Sequence, residues 1–376
     1  MPVESNGYKD WPQGPGTYGE AGIVMEVGTG AILYAKNIDA HEYPASITKV
    51  LTALVALENG QLTDNVTFSH DSVAFLQRGD SSVGLKEGNV ITLDQAMHAM
   101  LLASANEAAY AIGESVGVNA GHDYNWFIEQ MNSRCKELGG ENSNFANTNG
   151  LHDPNHYTCA RDMALIGREL FKHPEFFQIV QTLNYTIPAS ETTEEHVFHQ
   201  KHKMLQPSNS NYYPYTIGGK TGYTSDALST LITMADNGQT QLVCVVLRTH
   251  GKNIYPDTTN LFEYAFNNLI QGSMHEVKVV VTDVANNSVT FTRTENLPMV
   301  PDANAVITHT LNPSTWTNQD VTLTVRYPAY NGLFAQYSDS MDSNGNKIWS
   351  SVSSIGQAID SVSYTHLRAH ETELHL

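Results

Sequence analysis

The sequence has little positive charge, few cysteines and no long apolar run. Lys and Arg together number 20 against 39 Asp and Glu, which gives a formal net charge of -19. This balance argues against partners bound through general electrostatics, whether nucleic-acid phosphates or an anionic membrane surface. The three cysteines, Cys135, Cys159 and Cys244, are too few and too scattered for a disulfide framework or a zinc knuckle, and we expect buried thiols. No apolar run reaches the length of a transmembrane helix.

The two ends of the sequence carry little information about the fold. The residues after Met1 are polar and rich in Pro and Gly, without the basic and apolar regions of a signal peptide, and we expect residues 1–19 to be flexible. Ser361 to Thr372 matches, codon by codon, the translation of a transposon-type sequencing adapter. We therefore expect residues 362–376 to be a non-native tail, and a C-terminal membrane anchor could have been lost with the true end of the chain. An ordinary polar tail is the alternative.

Between these ends, strand patterns come first and last, and helical patterns lie between them. A hairpin at 20–36 opens the region, and a second hairpin at 228–249, with an Asn-Gly turn, comes near its end. One helical stretch begins at Ser46, and an Ala-rich stretch breaks near Ser104. This order predicts an α+β domain over 20–272, in which an antiparallel sheet built from both ends has a helical insert packed beside it.

The pattern changes at about Ser273. Segments such as EVKVVV, SVTFTRT and DVTLTVRYP alternate in the manner of strands, with Pro and Asn turns between them. We therefore expect a smaller all-β domain over 273–361, which is truncated if the adapter interpretation is right.

The first of three short motifs is Ser46-Ile47-Thr48-Lys49, at the start of a predicted helix. Residues three apart share a helix face, so the Ser46 hydroxyl and the Lys49 amine can come within hydrogen-bond reach. A lysine whose pKa is lowered by burial or by neighbouring cations can take the serine proton. Alone the motif is weak, because serine is a common helix N-cap. The same pattern at Ser133-Arg134-Cys135-Lys136 is interpreted as chance on an amphipathic helix.

The second motif, Ser104-Ala105-Asn106, falls where the Ala-rich helical stretch breaks. Its hydroxyl could relay a proton and its amide could hold a substrate carbonyl. A helix cap followed by a polar turn explains the same residues, and for this motif alone that explanation is favoured.

The third motif, Lys220-Thr221-Gly222, follows other glycines on a short strand pattern. Gly222 allows the backbone of a ligand to approach closely. Lys220 offers a cation and Thr221 a hydroxyl to a substrate carboxylate, although a solvated strand end would give the same pattern.

The three motifs are strong in combination. Ser-x-x-Lys, Ser-x-Asn and Lys-Thr-Gly occur in this order, at a helix start, at a break between helices and on a strand. That set is the serine acyl-transfer signature of penicillin-binding proteins and serine β-lactamases.

Longer segments around the motifs resemble one family, the D-alanyl-D-alanine carboxypeptidases, or low-molecular-mass penicillin-binding proteins. The resemblance runs from about Glu20 to Ile270 and is carried by YPASITKVLTALVALENG, LLASANEAAYAIGE, FANTNGLHDPNHYTCARDMALIGREL and IGGKTGYTSDA. It implies the fold of serine β-lactamases and transpeptidases, an antiparallel five-stranded sheet with flanking helices and a helical insert. It also implies an extracytoplasmic enzyme of the cell envelope that removes the terminal D-Ala of peptidoglycan stem pentapeptides.

The resemblance implies a catalytic role for residues of the first two motifs. Ser46 would be the acylated nucleophile and Lys49 its general base. Ser104 and Asn106 would relay protons and orient the substrate. Hydrolysis of the acyl-enzyme would complete the reaction, and β-lactam antibiotics would act as covalent inhibitors.

The resemblance also implies a binding role for residues of the third motif. Lys220 and Thr221 would bind the terminal carboxylate region, beside the close approach that Gly222 allows. The backbone N–H of Tyr223 would join that of the nucleophile in an oxyanion hole. Arg248 lies near the position where the family often supplies a carboxylate-binding arginine. We expect neither a cofactor nor a metal.

The nearest alternative is a class A β-lactamase. Such an enzyme needs a deacylating carboxylate on the loop after the second motif. In residues 139–157 the only Glu is Glu141, without a Glu-x-x-x-Asn pattern, although Asp153 is present. Fast nitrocefin turnover, rather than a stoichiometric burst, would favour this alternative.

A second alternative is a penicillin-sensing or wall-binding module without turnover. The intact pair of Ser46 and Lys49 argues against a simple loss of chemistry. Covalent binding of penicillin without release of D-Ala would favour this module.

A third alternative is a zinc peptidase, because His196, His199 and His202 are spaced three apart. On a helix such a spacing could bring imidazoles to one metal. The segment is polar and lacks a His-Glu-x-x-His frame, so solvated histidines are favoured.

Overall fold

The computed structural model describes residues 4–7 and 12–268, and beyond them eight strands between 274 and 375. The chain divides into two compact units, the first built mainly from 13–27 and 33–266 and the second mainly from 267–376. The predicted domain limits stay predictions. Within the N-terminal segment expected to be flexible, Ser5 is buried and its hydroxyl bonds with the backbone of Ala35. Residues 1–3 and 8–11 of that segment lie outside the described residues.

The first unit has strands at both ends and helices between them, as predicted, together with four short strands among the helices. In chain order its elements are β1 (Ala21–Glu26), β2 (Ile32–Lys36), α1 (Lys49–Asn59), β3 (Asn65–Thr67), α2 (His70–Ala74), β4 (Val90–Thr92), α3 (Leu93–Leu102), α4 (Asn106–Asn119), α5 (Tyr124–Glu137), α6 (Ala160–Glu169), α7 (Pro174–Val180), β5 (Asn184–Ile187), β6 (His196–His199), β7 (Thr216–Thr224), β8 (Leu228–Asp236), β9 (Gln241–Thr249) and α8 (Ile254–Asn268).

The centre of this unit is a five-stranded antiparallel sheet, which confirms the predicted fold class. The strand order is β2-β1-β9-β8-β7, so the two ends of the domain meet where β1 pairs with β9. Strand β7, which carries the third motif, lies at one edge and pairs only with β8 in this sheet. An edge strand leaves one row of backbone groups open to a ligand.

Helices cover both faces of the sheet. Val243 of β9 packs against α6 at Gly167, where an added Cβ would lie 2.8 Å from Val243 Cγ1. The next residue, Cys244, reaches the opposite face and bonds with Thr258 of α8. Successive strand residues point to opposite faces, and strands covered on both sides are nearly continuous apolar runs, as β9 is. All three cysteines are buried free thiols, as expected.

The Ala-rich stretch breaks where the sequence predicts. Helix α3 begins with a capping box in which Thr92 and Gln95 bond with each other's backbone, and it ends at Leu102. Ser104 then adopts φ = 66°, the left-handed region, before α4 begins at Asn106. The reversal ends the first helix and presents the second motif from the gap between the two helices.

Two small two-stranded sheets, β3-β4 and β5-β6, are present that the sequence patterns did not predict. Strand β6 runs from His196 to His199, so these histidines lie on a strand rather than on a helix. The helical spacing argument for a metal site therefore does not apply to them. Among the described helices, none is both long enough and apolar enough to cross a bilayer.

The second unit is described through its strands alone. They are β10 (Met274–Thr282), β11 (Ser288–Asn296), β12 (Thr308–Asn312), β13 (Val321–Arg326), β14 (Gln336–Met341), β15 (Lys347–Ser351), β16 (Val362–Tyr364) and β17 (Glu373–His375). The all-β domain at 273–361 and the non-native tail at 362–376 stay predictions, and most of their connecting residues lie outside the described residues.

Candidate active site

Ser46 lies in a short 3-10 turn, Ala45–Thr48, that leads into α1. The sequence predicts a helix beginning at Ser46, whereas the α-helix begins at Lys49. Pro44 precedes the turn, and Ala45 adopts φ = 50°, a left-handed conformation that alanine rarely takes. The residue next to the candidate nucleophile is therefore strained, as residues at functional sites often are.

The Lys49 amine contacts three oxygens from three separate parts of the chain. Its Nζ lies 2.9 Å from Ser46 Oγ, 2.7 Å from Asn106 Oδ1 and 2.6 Å from the backbone oxygen of Asn149. The lysine is completely buried. The structure thus brings the first and second motifs together around one amine.

The surroundings of Lys49 favour its neutral form. Burial lowers its pKa well below the usual value, and the charge of Lys220 lowers the pKa further. An unprotonated amine has two N–H groups and one lone pair. The oxygens of Asn106 and Asn149 can only accept, so they take both N–H groups. The lone pair is left facing the Ser46 hydroxyl, which is the geometry of a general base and its nucleophile.

The third motif meets the second through Lys220. Its Nζ lies 3.0 Å from Ser104 Oγ and 2.8 Å from the backbone oxygen of Thr221. Lys220 is 1% exposed, and burial, together with the charge of Lys201, lowers its pKa to about 7. A pKa near neutrality makes Lys220 a cation whose charge is sensitive to a bound anion.

Strand β7 also lies directly against the turn that carries Ser46. A Cβ on Gly222 would lie 3.0 Å from both Pro44 O and Ser46 N, and 2.2 Å from Thr230 Oγ1. Thr230, the partner of Gly222 on β8, donates its hydroxyl to Pro44 O at 2.8 Å. Glycine at position 222 therefore allows β7 to pack against the turn that carries Ser46. The close approach of a ligand, predicted from the sequence, would be a second use of the same glycine.

The remaining predicted binding residues lie at the end of β7 or beyond it. Tyr223 follows Gly222, and its side chain is 70% exposed. Arg248, in a left-handed conformation with φ = 52°, donates to Glu20 Oε1 at 3.0 Å and to Asp226 O at 2.7 Å. Its guanidinium is thus held at the β7-β8 turn rather than on the lysine cluster, and its role stays a prediction.

The loop between α5 and α6 contributes contacts that sequence reasoning did not identify. Asn149 supplies the backbone oxygen that binds Lys49. Gly150, with φ = 85°, allows the chain to touch the nucleophile turn, since an added Cβ would lie 1.9 Å from Ala45 O. The resemblance of the segment FANTNGLHDPNHY was the only available signal, and it gave no role to either residue.

Glu107 was also missed, although it follows Asn106 directly. It is fully buried, and its Oε1 accepts from the Ser82 hydroxyl at 2.7 Å and from the N–H groups of Val83 and Gly84 at 2.8 and 3.2 Å. The Asn106 N–H donates to Ser81 O at 2.9 Å. The loop 81–84 is therefore fixed beside the second motif.

A third lysine, Lys201, lies near the site. Its backbone N–H donates to Leu102 O at 3.2 Å, at the end of the helix before Ser104. Its charge contributes to the lowered pKa values of both Lys49 and Lys220.

The histidines of the zinc alternative point to different surroundings. His196 Nδ1 contacts Val83 O at 3.0 Å, His199 Nδ1 contacts Asn184 Oδ1 at 2.6 Å on the surface, and His202 Nε2 contacts Thr233 Oγ1 at 3.0 Å in the interior. Over residues 12–268 no group of three His, Cys, Asp or Glu side chains is arranged to hold a metal ion.

The carboxylates of the β-lactamase alternative are also away from the reacting pair. Glu141 is exposed, and Asp153 accepts a bond from Asn155 N–H within its own loop. Within the described part of the chain, no carboxylate hydrogen-bonds Ser46 or Lys49; the loop instead offers them a backbone carbonyl, that of Asn149.

Comparison with known sequences agrees with the three motifs. A family model described as D-alanyl-D-alanine carboxypeptidase matches residues 12–251. The chain is 30% identical over 257 residues to D-alanyl-D-alanine carboxypeptidase DacF of Bacillus subtilis, a match that covers 66% of this chain and 62% of the relative. A match to the carboxypeptidase DacB2 of Mycobacterium tuberculosis is 30% identical and covers 70% of this chain and 87% of the relative. The chain thus spans about three fifths of the Bacillus relative's length.

Solved structures give the same result. A Streptomyces DD-transpeptidase superposes with a TM-score of 0.62 at 26% identity, over 68% of this chain and 99% of that one. A D-alanyl-D-alanine carboxypeptidase from Mycobacterium tuberculosis gives a TM-score of 0.60 at 28% identity, over 70% of this chain and 96% of that one. Because the family model covers well over half of the 376 residues, the chain belongs to the D-alanyl-D-alanine carboxypeptidase family.

Proposed function

We propose that this protein is a serine-type D-Ala-D-Ala carboxypeptidase, which removes the terminal D-Ala of peptidoglycan stem pentapeptides through an acyl-enzyme. The observation that carries the proposal is the contact between a fully buried Lys49 amine and the Ser46 hydroxyl at 2.9 Å. The two oxygens that occupy the N–H groups of this amine leave its lone pair to serine.

Acylation follows from this arrangement. Ser46 Oγ attacks the carbonyl carbon of the penultimate D-Ala while its proton passes to the Lys49 amine. Negative charge develops on the carbonyl oxygen and is stabilised by the backbone N–H groups of Ser46 and Tyr223. The carbon–nitrogen bond then breaks, and the terminal D-Ala leaves as its amine nitrogen receives a proton, relayed through the Ser104 hydroxyl.

Deacylation reverses these roles. A water molecule attacks the ester carbonyl and gives its proton to Lys49, and Ser46 Oγ recovers a proton as the ester bond breaks. The Asn106 amide, held against Lys49 at 2.7 Å, orients the substrate and the base.

Substrate recognition is assigned to the edge strand. Lys220 and Thr221 bind the terminal carboxylate region, with Arg248 as a further candidate, and Gly222 allows the peptide to lie close to β7. Because stem peptides are outside the cytoplasm, we place the enzyme in the cell envelope. β-Lactam antibiotics would acylate Ser46 and remain bound.

The decisive experiment is mass spectrometry of the penicillin-treated protein. We expect one covalent adduct on the wild type and none on Ser46→Ala. Ser133→Ala is the matched control, because it alters the second Ser-x-x-Lys pattern in the chain and should keep the adduct. An adduct that persists on Ser46→Ala would overturn the assignment of the nucleophile.

Turnover is tested with a diacyl-D-Ala-D-Ala peptide. Release of D-Ala by the wild type supports the carboxypeptidase. Acylation by penicillin without D-Ala release would instead indicate a sensing module, and rapid nitrocefin turnover would indicate a β-lactamase. Addition of an amine acceptor distinguishes hydrolysis from transpeptidation by the mass of the product.

A further inference from the structure

The loop between α5 and α6 contributes a buried imidazole, His156, that the proposed reaction does not use. The residue is 2% exposed. Its Nε2 lies 2.8 Å from Thr48 Oγ1, and its Nδ1 lies 2.9 Å from the backbone nitrogen of Ala146. It therefore joins its own loop to the turn that carries Ser46.

The three hydrogen bonds that link Ala146, His156, Thr48 and Ala45 each have a fixed direction, because the Ala146 N–H can only donate and the Ala45 carbonyl can only accept. The Ala146 N–H can only donate, so His156 Nδ1 accepts and the ring proton lies on Nε2. That proton is donated to Thr48 Oγ1, and the Thr48 hydroxyl donates in turn to Ala45 O at 2.8 Å. Burial lowers the pKa of His156 to about 4, in agreement with a neutral ring at physiological pH.

The last acceptor in this series of hydrogen bonds, Ala45 O, belongs to the peptide group that precedes the candidate nucleophile. Ala45 O and Ser46 N–H are the two ends of one planar peptide, so fixing the oxygen also fixes the direction of the N–H. Ala45 holds a left-handed φ of 50°, which it would not keep without restraint.

Two neighbours restrain this carbonyl from different sides. Thr48 donates to it, and Gly150 approaches so closely that a Cβ would lie 1.9 Å from the oxygen. The nitrogen at the other end lies beside strand β7, 3.0 Å from the position of a Cβ on Gly222. The Ser46 N–H is thus held next to the strand that would bind substrate.

We propose that His156 is a positioning residue: acting through Thr48, it holds the Ala45–Ser46 peptide so that the Ser46 N–H points at the developing oxyanion. The inference rests on the proposed function, since it needs Ser46 as nucleophile. His156 itself touches neither the substrate nor the reacting atoms.

Two substitutions of His156 separate its two hydrogen bonds. In His156→Gln the side-chain amide can replace Nε2 and donate to Thr48. In His156→Asn the shorter amide can replace Nδ1 and accept from Ala146, but it cannot reach Thr48. We expect the rate of acylation by penicillin to fall by about 10- to 100-fold in His156→Asn, because misplacing one oxyanion donor is costly, and to stay within a few fold of the wild type in His156→Gln.

A second pair tests the link through Thr48. Thr48→Val removes the hydroxyl with little change of shape and should lower the acylation rate as His156→Asn does, whereas Thr48→Ser should retain the rate. In both slow variants kcat for the peptide should fall with little change in KM.

Affinity for a peptide boronic acid distinguishes positioning from general loss of structure. The tetrahedral boronate uses the oxyanion hole, so its affinity should fall by the same factor as the acylation rate. Binding of unreacted substrate to the same variants carrying Ser46→Ala should be unchanged.

The outcomes keep this inference separate from the proposed function. A wild type that is acylated on Ser46, together with Thr48→Val and His156→Asn variants that acylate equally fast, would overturn the positioning role alone. Rescue by His156→Asn instead of His156→Gln would also overturn it, since the loop contact would then matter and the Thr48 contact would not. A wild type that is not acylated at all would overturn the proposed function itself.

Discussion

The chain contains two Ser-x-x-Lys patterns in different surroundings. Ser46 and Lys49 lie where a 3-10 turn enters α1, and the lysine is fully buried against three oxygens. Ser133 and Lys136 lie in the last turns of α5 and are both exposed. The Ser133 hydroxyl donates to Glu137 Oε1 on the same helix at 3.4 Å.

The two pairs share the same spacing and differ in the environment of their side chains. Both pairs place a hydroxyl and an amine three residues apart. Only the amine of the first pair, Lys49, is buried away from water, and it donates to oxygens of Asn106 and Asn149. Desolvation and a second cation favour the neutral amine in the first pair. The Ser133 hydroxyl on α5 has no such buried amine beside it. The motif therefore has chemical meaning only together with its burial.

The largest effect is expected from removing the buried amine. Lys49→Gln should lower the rate of acylation by penicillin about 10³-fold, because a general base contributes on that scale. Lys136→Gln, at the equivalent position of the second pair, should leave the rate within about twofold, as surface substitutions usually do. Stopped-flow or quenched mass spectrometry measures both rates. Equal losses in the two variants would show that the burial of the first pair is not what distinguishes it.

A smaller effect is expected from two glycines with the same backbone conformation. Gly150 and Gly121 have φ values of 85° and 84°, but a Cβ would contact Ala45 O in the first case and open space in the second. Gly121→Ala should cost only the left-handed strain, about 1 kcal/mol of unfolding free energy. Gly150→Ala should cost more and also slow acylation about tenfold or more, because the nucleophile turn must move. Urea denaturation and acylation kinetics measure the two effects, and a Gly150→Ala variant that acylates normally would argue against a fixed turn.

The last comparison concerns the effect of burial on the pH dependence of stability at His156. Burial depresses the folded-state pKa of His156 from 6.5 to about 4, so below pH 6.5 the unfolded chain binds a proton that the folded chain does not. The contribution of His156 to the free energy of unfolding should therefore fall as pH drops from 6.5 towards 4, by about 3 kcal/mol at 1.36 kcal/mol per pKa unit. His156→Gln should show a shallower fall than the wild type. Urea titrations at several pH values measure both slopes.

Local features of the fold could be predicted from the sequence. Apolar periodicity located the strands of the central sheet, and the break near Ser104 was visible because the helical pattern is interrupted there. The motifs placed Ser46, Lys49 and Lys220 in one cluster, and their contacts agree with that placement.

The remainder of the site depends on contacts between distant parts of the chain. The carbonyl of Asn149 accepts from Lys49, which lies 100 positions away in the sequence. Every residue has a backbone carbonyl, so the residue type at 149 does not predict this contact. The left-handed conformation of Ala45 could not be predicted, because alanine disfavours it and the contacts of Gly150 and Thr48 with its carbonyl are made only in the folded chain. The two-stranded sheets β3-β4 and β5-β6 were missed because strands of three or four residues carry too little alternation to detect.

The enclosure of Lys220 couples substrate capture to the acidity of the surroundings. With a pKa of about 7, its amine carries a proton in only part of the molecules at neutrality. A carboxylate docking beside it, as proposed, stabilises the ammonium form and draws a proton from the solvent. The nearby Lys49 must stay free of its proton to act as base. The two amines therefore make opposite demands on pH, and the rate of acylation would be highest at a pH between their two pKa values.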